Sequence, residues 1–97
     1  MIIVSQDKSV IVNCENMESI EIGNVEENQG KGIIYARLVS DYFYKIGEYA
    51  TEKRAEEVLR EIIKCYEMTE FYKVAAGADQ EYIQDNSSIF KYKMPEA

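Results

Sequence analysis

Thr51-Glu52-Lys53-Arg54-Ala55-Glu56-Glu57-Val58-Leu59-Arg60-Glu61-Ile62-Ile63-Lys64-Cys65-Tyr66-Glu67-Met68 is the stretch on which the fold turns. Its apolar side chains recur at Ala55, Val58, Leu59, Ile62, Ile63 and Tyr66, a spacing that puts them on one stripe of an α-helix. Glu52, Lys53, Glu56, Glu57, Arg60, Glu61 and Lys64 fill the other side. Thr51 can accept from the unpaired N–H groups of the first turn, and Glu52 suits the positive end of the helix dipole. A long helix is therefore expected over 51–68, with one wet face and one that the rest of the chain must cover.

Upstream, Ile2-Ile3-Val4 and Val10-Ile11-Val12 flank the polar Ser5-Gln6-Asp7-Lys8-Ser9, which reads as a β-hairpin. Both arms are almost continuously apolar, so at least one belongs in the middle of a sheet or is covered on both faces. Met17 to Ile22 resumes strand character, and residues 23–32, rich in glycine, asparagine and acid, read as a mobile loop. Gly30-Lys31-Gly32 lacks the spacing of a phosphate-binding loop and precedes a strand. From Ile33 to Ser40 the period is two, and Ser40-Asp41 offers a reversal into Tyr42-Phe43-Tyr44-Lys45-Ile46, giving a second hairpin that Gly47 should end.

Beyond the helix the pattern loosens. Residues 69–88 are not assigned: 69–78 either extend the helix or begin another element with a break at 75–80, 81–84 suit a short strand or helical turn, and 85–88 a turn. A terminal strand is expected over 89–94, closed by Pro95. The expectation is one α+β domain over 1–97, with an antiparallel sheet of about five strands from 1–49 and 89–94 packed on one amphipathic helix.

Composition narrows the function classes. With 97 residues and a net charge of −7, the chain repels phosphates, so generic binding to nucleic acid or an anionic membrane is disfavoured. The opening lacks the basic start and hydrophobic run of a signal peptide, and a cytoplasmic location in a bacterial host cell is expected. There is no histidine, and Cys14 and Cys65 lie far apart, which argues against zinc and favours two buried thiols over a disulfide. Neither a metal nor another cofactor is expected. The acidic pairs Glu26-Glu27 and Glu56-Glu57 read as solvated charge rather than catalytic carboxylates. Eight tyrosines are many for this length. Tyr35, Arg37, Tyr42, Tyr44 and Lys45 fall on the second hairpin, and Lys91 and Lys93 would join them if the last strand lay alongside. Tyrosine with arginine and lysine makes a surface able to stack on bases or anchor an interface; ordinary sheet tyrosines with edge-strand lysines are the bland alternative.

The opening Met1-Ile2-Ile3-Val4-Ser5-Gln6-Asp7-Lys8, the passage from Ile46-Gly47-Glu48-Tyr49-Ala50 through Thr51-Glu52-Lys53-Arg54-Ala55-Glu56-Glu57-Val58-Leu59, and the ending Tyr92-Lys93-Met94-Pro95-Glu96 resemble a group of small uncharacterised proteins. Those are encoded by phages, prophages and integrative elements of low-GC Gram-positive bacteria. The resemblance rests on a hairpin opening and a capped helix entry, and transfers no catalytic or binding residue. It implies an accessory protein of a mobile element, many of which bind and disable host components. The leading expectation is a non-enzymatic binding protein, an antagonist of host defence that occupies a host protein surface or sequesters a small nucleotide signal. A structural homo-oligomer is the alternative, and a carboxylate-based enzyme ranks last.

Overall fold

The computed structural model describes residues 1–76 and 91–97, the side chains of 73–76 excepted. The first hairpin forms from β1 (Ile2–Val4) and β2 (Ile11–Asn13), antiparallel with Ile3 opposite Val12. Its reversal is organised by Asp7, whose carboxylate accepts from the Ser9 hydroxyl at 2.6 Å, the Ser5 hydroxyl at 2.8 Å and the Ser9 N–H at 3.0 Å. These donors, led by the Ser9 hydroxyl, hold the Asp7 carboxyl down at about 2, because each bond favours the ionised form. Lys8 sits in the left-handed region at φ 64° to complete the turn.

A 3₁₀ turn at Cys14–Asn16 follows, with the Asn13 side chain accepting from the Glu15 N–H. The chain then runs through an antiparallel meander of β3 (Met17–Ile22), β4 (Gly32–Leu38) and β5 (Phe43–Tyr49). The loop between β3 and β4 is folded on Asn24, whose carboxamide oxygen accepts from the N–H groups of Glu26 and Glu27. Helix α1 (Glu52–Ala76) comes next, capped as expected by Thr51, whose hydroxyl accepts from the Arg54 N–H at 3.1 Å. The final strand, β6 (Lys91–Lys93), returns to the first hairpin.

Two expectations need correction. The strands do not form one sheet of about five: among the described residues there are two three-stranded sheets, β2-β1-β6 and β3-β4-β5, and β6 lies parallel to β1. β1 is bonded on both edges, which satisfies its all-apolar sequence and leaves no edge for β3. Of the two courses left open for the residues after Met68, the helix is extended, to Ala76, and neither glycine nor proline interrupts the chain between Gly47 and Gly77. Gly47 does not end its strand but lies inside β5, where a Cβ would come within 2.8 Å of Met94 Cε. The break expected beyond Ala76, the element at 81–84, the turn at 85–88 and residues 89–90 of the terminal strand lie outside the described residues.

Both sheets and the helix share one core. Ile3 and Val12 enter it from the first sheet, Ile34, Ala36, Ile46 and Tyr49 from the second, Ala55, Val58 and Ile62 from α1, and Met94 from the tail. Gly32 lets the start of the helix close on β4, since a Cβ there would stand 2.5 Å from Ala55 Cβ and from the Thr51 carbonyl oxygen. The tail ties the parts together: the Met94 N–H donates to the Val4 carbonyl, and the Tyr49 hydroxyl to the Pro95 carbonyl at 2.9 Å. The outer edge of β5 is closed by Gln6. Its N–H donates to the Ile46 carbonyl at 2.8 Å, while its carboxamide accepts from the Glu48 N–H at 2.7 Å and donates to the Glu48 carbonyl at 2.9 Å.

Candidate functional site

Alternation along β4 turns Ile34 and Ala36 to the core and Tyr35 and Arg37 to the outer face of the second sheet. The register places Lys45 beside Tyr35 and Phe43 beside Arg37 on one flank, with Glu21 and Ser19 on the other. Those six side chains make the outer plate. The Arg37 guanidinium lies 4.7 Å from the centre of the Phe43 ring, and Tyr35 meets Phe43 edge to face at 6.4 Å. Arg37 Nε also stands 3.4 Å from Glu21 Oε2, which accepts from the Ser19 hydroxyl at 2.9 Å. Nε makes no well-angled hydrogen bond there, so the attraction to Glu21 is that of an ion pair alone.

The structure gathers only part of the cluster read from the sequence. Tyr35, Arg37 and Lys45 do share a face. Tyr44 is opposite Ala36, on the other side of the sheet, where it lines a hollow with Val10, Ile11 and Leu38. Tyr42 sits in the β4–β5 turn, whose carbonyl accepts from the Leu38 N–H. Lys91 and Lys93 belong to the first sheet, because β6 pairs with β1 and not with β4 or β5. They bring no charge to the plate. Lys45 Nζ is 3.7 Å from Glu48, an exposed pair of little energetic weight.

Phe43 is the member that the tyrosine count missed, although strict alternation from Tyr42 puts it with Lys45 and Arg37. Beside the plate, a cleft of about 310 Å³ opens between Tyr35, Phe43 and the Asn24 loop. Gly23 permits it, since a Cβ there would lie 2.8 Å from Tyr35 Cε2. Glu21 and Glu27 line this cleft and no lysine or arginine does, so it suits an uncharged or cationic group better than a phosphate.

The cysteines, expected to be buried, are only partly covered. Burial pushes the Cys65 thiol up, which disfavours the thiolate, and neither cysteine is in a disulfide. Among the described residues no group of three or more Cys, Asp or Glu side chains comes together as a metal site, and no helix is long and apolar enough to cross a membrane.

At the end of the plate the β4–β5 hairpin end exposes apolar side chains on both faces of the sheet: Val39, Tyr42, Phe43 and Tyr44 are 68, 66, 51 and 41 % exposed, with Phe43 on the outer face and Tyr44 on the inner. Asp41, at φ 65°, tightens the reversal that holds them together. No family model, no curated protein and no solved structure matches the chain.

Proposed function

We propose that this chain is a non-enzymatic protein-binding module of a phage or mobile element, acting in a bacterial host by occupying the surface of a host protein, in the manner of a defence antagonist. The observation that carries the reading is the hairpin end, where Val39, Tyr42, Phe43 and Tyr44 stay in water although the core beneath them is filled. Exposed aromatics at the end of a hairpin, with an arginine stacked on one of them, are the side chains that dominate protein interfaces. The net charge of −7 adds long-range attraction to a basic partner.

Sequestration of a nucleotide signal draws less support, since Arg37 faces Glu21, and Lys91 and Lys93 lie on the other sheet. The test is affinity capture from a Gram-positive host lysate, followed by titration with the purified captured protein. The intact chain should retain a defined partner, and Tyr42→Ala combined with Phe43→Ala should weaken it about a hundredfold, as loss of two interface anchors does. Retention unaffected by the double variant, or a nucleotide-sized mass carried through native purification, would refute this reading.

A further inference from the structure

The two edges of the second sheet differ. Gln6 covers β5, whereas β3 is an edge strand, and among the described residues no backbone group outside β4 bonds to Glu18–Glu21. Along that edge runs a groove of about 580 Å³ between β3 and α1. Four consecutive residues, Met17 to Ile20, line it, so the groove meets the strand's backbone edge and not only one row of side chains. Its opposite wall is α1, with Ile63 and Tyr66 half exposed. Its rim carries Glu18 and Glu67, and no lysine or arginine lines it.

The geometry points to β-strand addition at this edge. An extended segment of a partner protein lies along β3, bonding to its outward N–H and C=O groups. Alternate apolar side chains of the segment drop between Met17, Ile20, Ile63 and Tyr66, and the intervening lysines or arginines meet Glu18 and Glu67. Methionine and tyrosine walls adapt to several apolar side chains, so the site reads spacing and charge more than shape. The charge excludes a second copy, which would set the same acidic rim against itself. This site is distinct from the hairpin end and does not depend on it.

Selection from a random peptide display library against the intact protein tests it. Enriched peptides should alternate apolar residues with lysine or arginine, and the best of them, synthesised, should slow amide exchange at Glu18–Ile22. Ile63→Gln, at an exposed position that leaves the melting temperature unchanged, should weaken that peptide roughly tenfold. Glu18→Lys with Glu67→Lys should turn the selected peptides acidic. The inference falls if nothing is enriched, if bound peptides leave the β3 amides exchanging freely, or if the free protein proves to be a dimer with those amides already protected.

Discussion

The two halves of α1 differ in composition and have opposite fates: the first is the more charged and the better buried, the second the more apolar and the more exposed. From Thr51 to Ile62 the apolar stripe is buried against β4, with Ala55, Val58 and Ile62 all in the core. From Ile63 to Tyr72 only the side carrying Cys65 and Thr69 is covered, while Ile63, Tyr66, Met68 and Phe71 face water. Length explains the split. A helix of 25 residues is about 38 Å long, whereas a seven-residue strand such as β4 spans about 23 Å, so the helix overruns its sheet. Periodicity tells a helix which way to face; it does not supply something to face.

Adjacent isoleucines give the strongest way to break that contrast. Ile62 is 2 % exposed and Ile63 is 49 % exposed. Ile62→Ala should cost about 2–5 kcal/mol in denaturant unfolding, because it leaves a cavity beneath β4. Ile63→Ala should stay within about 0.5 kcal/mol, and an equal loss at both positions would show the second half to be as well covered as the first. Gly32→Ala sharpens the picture of the first half: the new methyl meets Ala55 and the Thr51 carbonyl, and overpacking of this kind costs about 1–3 kcal/mol. Tyr49→Phe, below the same half, should lose about 1 kcal/mol with the bond to the Pro95 carbonyl.

The smallest effect belongs to the first hairpin, away from both halves. Asp7 is held at about 2 when folded against an ordinary 3.8, so between these values the unfolded chain binds more protons. Its contribution is present above that window and is lost as pH falls through it. Thermal unfolding from pH 5 to pH 2 should therefore show a slightly steeper loss for the native chain than for Asp7→Asn.

Much of this architecture was legible before any coordinates. The cap at Thr51, the two hairpins and the face of β4 follow from local chemistry: a hydroxyl before a charged run, β-branched pairs around polar turns, and a period of two. What was not legible is non-local. Nothing near Lys91 reveals that β6 will seek β1 instead of β5, and that choice separates Lys91 and Lys93 from Arg37 and Tyr35. The extension of α1 to Ala76 was blurred by the looser spacing of Phe71 and Tyr72, of which Phe71 is 67 % exposed. The plate itself was half visible: alternation groups Arg37 with Phe43, but attention to tyrosine drew Tyr42 and Tyr44 in and left Phe43 out.

The parallel pairing of β1 with β6 also bears on folding kinetics. It joins Ile2 to Lys91, so nearly the whole described chain is enclosed in the loop it closes. Three residues of strand give little return for that closure entropy, whereas the β3-β4-β5 meander and α1 assemble from neighbours. The meander and helix are thus expected to form first and β6 to join last, as a clasp. Until it closes, β1 has a partner on one edge only and the Val4 carbonyl lacks the Met94 N–H, so the pairing of Ile2–Val4 with Lys91–Lys93 is the step that a slow refolding phase should report.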